Sequence, residues 1–283
     1  MAITQKHQIK ALIELLGKES GEQAVFLRTE LARIMKEQPQ ALRDVIEQDF
    51  HSSVPADLVH NIEQACWENL AQEIEVFVAK INPSLEEALS IETRFVNPAI
   101  KSEEITQDLD VVARGLQPLA ARSANTADLL HAMEYFFIQK QQLTLVPTIK
   151  DIKEISFGRF LQKKRGSALC LACLYVLCAE RFGLEAGVVD LAGKLMVFIR
   201  LNDSSEKLFI DPVEKGCLFT EFDCHRYIDS RNLQWNESFL SPLSSRTLLR
   251  RFFGNMIFAL NKLKDERRLD YLRRYMDILK INF

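Results

Sequence analysis

Apolar residues recur three or four positions apart along most of this chain, which is the spacing of helices that bury one face. Ile9, Leu12, Ile13 and Leu16, followed by Val25, Phe26, Leu31, Ile34 and Met35, predict a helical pair across residues 7–37 with a break between Gly17 and Gly21. Leu42, Val45 and Ile46 continue the pattern, and Leu58, Ile62, Cys66, Leu70, Ile74 and Phe77 form one long stripe. Helix pairs of this kind read as one or two units of an α-solenoid. Asn82-Pro83-Ser84 marks a boundary, with Ser84 placed to cap a helix and Glu86 and Glu87 in its first turn, where the helix dipole favours anions. Further helices are predicted at about 85–96, 102–119 and 125–140, followed by a less regular stretch at 141–160 broken by Pro147 and Gly158.

The pattern changes after Gly166-Ser167. A strongly apolar helix runs to about Phe182 and closes at Gly183, a residue suited to the left-handed C-cap. Two apolar runs of strand character follow, 186–191 and 195–201. The polar turn Asn202-Asp203-Ser204-Ser205 leads to a third, 207–210, that stops at Asp211-Pro212. After Pro242 two more helices are expected, at about 244–263 and 265–280. The fold class is therefore α+β and predominantly helical. Three parts are expected: a solenoid-like helical segment 1–82, a core 83–240 holding the apolar helix and a small antiparallel sheet, and a C-terminal helical pair 241–283.

Composition narrows the function classes. At 47% hydrophobic and 27% charged over 283 residues the chain has the make-up of an ordinary globular protein. A net charge of −3 provides no overall basic field for nucleic acid and no polybasic anchor for an anionic membrane. No apolar run approaches a membrane span, and the first sixteen residues read as an amphipathic helix, not a leader. The expected location is the cytoplasm, where six cysteines (Cys66, Cys170, Cys173, Cys178, Cys217 and Cys224) stay as free thiols. No cofactor or metal site is expected, since a lone Cys170-x-x-Cys173 inside an apolar helix is poor zinc geometry.

Three motifs in order carry a family likeness. Arg165-Gly166-Ser167-Ala168-Leu169-Cys170-Leu171 stands at the start of the apolar helix, Ala192-Gly193-Lys194-Leu195 in the first hairpin, and Ile210-Asp211-Pro212 after it. Together with Gly183 and Gly216 at matching separations, they resemble the bacterial SirB-type transglutaminase-like family. That family reads Arg-Gly-x-Pro-x-Ser-Leu, Pro-Gly-His-Phe and Ile-Asp-Pro-Phe at these places. The resemblance implies a transglutaminase-like core preceded by helices and followed by a tetratricopeptide-like tail, here short. It also implies a Cys-His-Asp site, in which a thiolate at a helix start attacks a carbonyl, a His on the next strand activates it and an Asp orients the His.

This sequence departs from that site at two of three positions. The nucleophile position falls on Ala168 and the histidine position on Lys194, whose reference pKa near 10.4 makes it a poor base at neutral pH. Asp211 stands at the acid position, where it also reads as a turn-capping residue or as a partner for Lys194. Cys170 is the alternative nucleophile, but it lies two residues on, about 200° around the helix. The five histidines, His7, His51, His60, His131 and His225, all lie outside the hairpin region. The favoured function is a catalytically inactive transglutaminase-like protein that binds a protein or peptide partner. The alternative is a cysteine-type acyl-transfer enzyme or hydrolase with an atypical site, using Cys170 or Ser167. A third reading, RNA association through the basic residues of the last two helices, is set against an ordinary solvated face there. The aromatics Phe252, Phe253 and Phe258 are expected in the core.

Overall fold

Helix starts obey the capping chemistry read from the sequence, and these caps fix the register of the core. In the computed structural model the residues described are 2–16, 22–38, 41–42, 45–46, 56–98, 100–147, 149–200, 207–214 and 217–280. The Gly17–Gly21 break, the 202–205 turn and Gly216 lie outside them, as do the side chains of Val25, Met35, Leu58 and Ile62. Helices α1 (Ala2–Leu16), α2 (Glu22–Glu37) and α3 (Ala56–Ala79) are followed by α4 (Leu85–Val96), where the Ser84 hydroxyl accepts from the Glu87 N–H at 3.1 Å. Then come α5 (Ser102–Ala120), α6 (Thr126–Glu134) running into a π-helical turn at Tyr135–Lys140, and the short α7 (Phe157–Lys163). The apolar helix is α8 (Ala168–Arg181), and Gly183 follows it at φ +76°, in the left-handed region.

The sheet is antiparallel, in the order β3 (Ala186–Leu191), β4 (Lys194–Arg200), β5 (Lys207–Asp211) and β6 (Cys217–Phe219). A separate two-residue parallel pair joins β1 (Thr144–Leu145) to β2 (Arg165–Gly166). Helix α9 (Glu221–Ser230) follows β6, and α10 (Ser245–Leu263) and α11 (Glu266–Ile278) close the described chain. Period-two alternation gives the sheet two buried faces. Val188, Val197, Ile199 and Ile210 face the principal core with α8 and α10, while Val189, Leu191, Met196, Phe198 and Phe209 pack against Cys224 and Ile228 of α9.

Tight spots explain some unusual residues. Gly158 lets α7 approach α4, because a Cβ there would stand 2.3 Å from Thr93 Cγ2. The β3–β4 hairpin turns on Ala192 (φ +52°) and Gly193 (φ +91°), so both central residues are left-handed, and the Asp190 carboxylate accepts the Gly193 N–H at 2.6 Å. An alanine there carries strain that glycine does not. Ala192→Gly should therefore stabilise the fold by about 0.5–1 kcal/mol, after allowing for the extra freedom glycine gains when unfolded. A lower denaturation midpoint in urea would refute this.

The N-terminal stripe divides between two clusters. Cys66 packs with Ile9, Ile13, Leu31, Ile34, Leu42, Val45 and Ile46, whereas Leu70, Ile74 and Phe77 enter the principal core. Trp67 ties α3 to both neighbours, its indole N–H donating to the Phe95 carbonyl at 3.1 Å and its own carbonyl accepting from the Tyr275 hydroxyl. Two aromatics expected inside are outside. Phe26 is 64% exposed and Phe258 61% exposed. Phe258 lies six residues past Phe252, about 240° around α10 from the buried face, and the Lys262 ammonium covers its ring at 4.1 Å. The basic residues of α10 and α11 are largely engaged within the protein. Arg246 donates to the Val78 and Lys80 carbonyls at the end of α3, Arg251 pairs with Asp190, and Arg267 reaches Glu63 while lying over the Trp67 ring.

Candidate functional site

The start of α8, the start of β4 and the end of β5 meet at one edge of the sheet. Gly166 makes the approach possible, since a Cβ there would come within 2.8 Å of the Phe160 ring. Ser167 then caps α8, its hydroxyl accepting the Cys170 N–H at 3.3 Å, which leaves Ala168 as the first helical residue, half-buried at the wall of a cleft. Lys194 opens β4 directly after the hairpin. The β4–β5 register aligns Val197 with Ile210, so Lys194 lies diagonally across from Asp211 on the same face, within reach of a long side chain.

Lys194 and Asp211 form an ion pair. The aspartate is fully buried, and the lysine side chain keeps 24% exposure. Asp211 Oδ1 accepts the Val213 and Glu214 N–H groups at 2.9 and 3.2 Å, so one oxygen holds the turn after β5. The other has no donor but the Lys194 ammonium among the described residues. That ammonium sits 5.3 Å from the Phe219 ring centroid and 5.1 Å from that of Tyr227, so two aromatic faces from β6 and α9 share its charge. Lys194 is thus a paired, partly enclosed lysine, not a freely solvated one. Ala168, Lys194 and Asp211 line the same cleft of about 750 Å³, together with Tyr227, Arg231 and the exposed apolar rim of Val213 and Leu233.

No thiol or imidazole lines this cleft among the described residues. His225 lies on α9 and stacks on Trp235 with ring centroids 3.4 Å apart, and neither ring faces Lys194 across the cleft. His51 and the side chain of His60 fall outside the described residues. Cys170 is fully buried; its thiol donates to the Ile155 carbonyl at 3.0 Å, and the Ser167 hydroxyl lies 3.3 Å from its sulfur. Burial, with a further contribution from the nearby Glu92 carboxyl, pushes the thiol up to about 12. The helix N-terminus favours a thiolate, but removal from water outweighs it here. Alkylation of the folded protein at pH 8 should therefore modify exposed Cys217 first and leave Cys170, Cys173, Cys178 and Cys224 untouched until denaturation. Rapid modification of Cys170 in the native state, located by peptide mapping, would overturn that order.

Sequence reading missed the wall that α9 provides. The signal was present, as Thr220-Glu221-Phe222-Asp223 is a capping box: Thr220 Oγ1 accepts the Asp223 N–H and the Asp223 carboxylate accepts the Thr220 N–H at 2.9 Å. Also missed was Glu92, fully buried in α4 with no cation beside it among the described residues.

A transglutaminase-like superfamily model matches residues 103–254, more than half of the chain and the whole of this cleft. The chain belongs to the transglutaminase-like superfamily. No curated protein and no solved structure matches it. No helix among the described residues is long and apolar enough to cross a membrane.

Proposed function

We propose that this transglutaminase-like protein is a SirB-type member without acyl-transfer activity, acting in the cytoplasm as a binding module for a protein or peptide. The observation that carries this reading is the Lys194–Asp211 ion pair facing Ala168. A thiol-dependent acyl transfer needs a sulfur to attack and a neutral base to take its proton. A methyl group stands where the sulfur belongs, and an ammonium already bound to the buried carboxylate stands where the base belongs. The solenoid-like helical segment 1–82 and the tetratricopeptide-like C-terminal pair 241–283 then serve as flanks that present surfaces to the partner. The intramolecular pairing of Arg246, Arg251 and Arg267 weighs against a nucleic-acid role, and the burial of Cys170 weighs against the alternative of a cysteine-type hydrolase.

The test is reconstruction. Incubation with a glutamine-containing peptide ester should leave the wild-type mass unchanged, and Lys194→His alone should not alter that. The double variant Ala168→Cys with Lys194→His restores both missing groups beside Asp211 and should form a covalent acyl adduct at residue 168. A wild-type adduct, abolished by Cys170→Ala, would sink the inactive reading.

A further inference from the structure

The Lys194–Asp211 pair brings a nitrogen nucleophile against a carboxyl group that is prepared to receive it. Lys194 opens β4 and Asp211 ends β5, neighbouring antiparallel strands, so the sheet fixes both backbones. The two oxygens of Asp211 are held differently. Oδ1 accepts the Val213 and Glu214 N–H groups at 2.9 and 3.2 Å, whereas Oδ2 meets only the Lys194 ammonium among the described residues. Two main-chain donors on one oxygen form the arrangement that stabilises an oxyanion when a nucleophile adds to the carbon beside it. The oxygen free to leave is the one that faces the amine.

Residue 212 narrows the chemistry. The carboxyl carbon of an aspartate is ordinarily open to the N–H of the next residue, which closes a cyclic imide with loss of water. Pro212 has no N–H, so that route is shut at Asp211. The Lys194 nitrogen is the one placed to react. In the pairs Lys80–Glu87 and Lys280–Asp277 both partners stay partly in water, which stabilises the two charges and competes with the amine, and no main-chain donor holds either carboxylate oxygen among the described residues.

We infer that Lys194 and Asp211 condense into an intramolecular amide that joins β4 to β5. An ammonium proton passes to Oδ2, and the freed amine nitrogen adds to Cγ while the Val213 and Glu214 N–H groups hold the charge on Oδ1. The Cγ–Oδ2 bond then breaks as a second nitrogen proton joins that oxygen. Of the three ammonium hydrogens, two leave in one water and one stays on the amide, so no oxidant or co-reactant is consumed. Groups fixed this way react at the high effective concentration of an intramolecular pair. The product also removes a buried charge, whose desolvation the ion pair has to offset. Water departs through the cleft that both side chains line. The Phe219 and Tyr227 rings, 5.3 and 5.1 Å from the ammonium, favour its charged form, so the reactive neutral amine is scarce and conversion is slow. The ion pair is the state before the bond. Once linked, the cleft keeps Glu214 and Arg231 as its charged lining residues. This inference goes beyond the binding-module reading, since it concerns a reaction of the chain with itself and needs no thiol.

Intact-mass spectrometry of the full chain tests it. After prolonged incubation at pH 7 and about 37 °C, more than half of the wild-type molecules should be lighter by one water, and far fewer should be so when freshly purified. Trypsin should then leave peptide 182–200 uncut at Lys194 and joined to peptide 208–215, with fragmentation placing the branch at residues 194 and 211. Placement is needed because other aspartates, such as Asp203 before Ser204, can form imides of the same mass. Lys194→Arg keeps a cation beside Asp211 but supplies no amine, and it should abolish the branched peptide, whereas Lys80→Arg should leave its yield unchanged. The wild-type measurement stands whether or not a variant folds. Separate peptides cut at Lys194 throughout the incubation, or a water loss that maps elsewhere and persists in Lys194→Arg, would overturn the inference. Acyl transfer from wild type to an external peptide would defeat the inactive reading and leave this internal bond standing.

Discussion

Glu92→Gln should stabilise the protein, and the gain should grow with pH. Glu92 is fully buried in α4, where its Oε2 accepts the Phe157 N–H at 3.0 Å and the Thr93 hydroxyl at 3.1 Å, while Oε1 has no partner among the described residues. Burial raises its carboxyl from the ordinary 4.5 to about 8, and the two hydrogen bonds only partly oppose the shift. A folded-state pKa above the unfolded value means that the native state holds the proton more tightly. The associated stability is therefore greatest below about pH 4.5 and is lost as pH rises toward 8. At about 1.4 kcal/mol for each pKa unit, this cost reaches ~3 kcal/mol at pH 7 and levels off near ~5 kcal/mol above pH 8. Glutamine keeps an acceptor for Phe157 and Thr93 and never ionises. Urea unfolding of wild type and variant should give similar midpoints at pH 5 and midpoints that diverge by pH 8.5. Glu92→Leu separates the two roles, because it also removes the acceptor and leaves the Phe157 N–H buried without a partner. Parallel stability curves for wild type and Glu92→Gln across this range would show that Glu92 is not protonated in the native state.

Why the sequence revealed Lys194 but concealed Glu92 follows from the distances involved. Lys194 stands in a short hairpin motif, where a family pattern flags the replaced residue. Glu92 sits between Ile91 and Thr93 in a helix whose other glutamates, Glu86 and Glu87, are half-buried and ion-paired, and its burial depends on α7 closing over it from 65 residues away. Nothing local marks it. The helices at 85–96, 168–181 and 245–263 were legible because caps and apolar stripes act within a few residues: Ser84, Ser167 and Ser244 each accept from the third residue of the helix that follows. Phe258 departs from the core because six residues, about 240°, separate it from the buried Phe252 around the helix. The cleft was legible only in part. Its floor came from three motifs, whereas the Tyr227 wall and the Phe219 ring beside Lys194 come from α9 and β6, which are too short to show a strong period.

Lys194→Ala should cost about 3 kcal/mol, far more than removal of an exposed lysine. The variant leaves the Asp211 carboxylate buried with its Oδ2 facing a void, and breaking one side of a buried pair exposes the full desolvation penalty of the other. The Val213 and Glu214 N–H groups still hold Oδ1, which keeps the loss at the lower end of the range for buried pairs. Asp211→Asn in the same background removes the stranded charge while preserving an acceptor for those two N–H groups. The double variant should therefore be more stable than Lys194→Ala alone, an inversion that simple loss of contacts cannot produce. Both should melt below wild type, Lys194→Ala by about 6–10 °C for a chain of this size. Calorimetry on the three proteins at pH 7 decides the matter. If Asp211→Asn adds a further loss to Lys194→Ala, the aspartate's contribution lies in its turn hydrogen bonds alone, and the ion pair is not what stabilises this cleft.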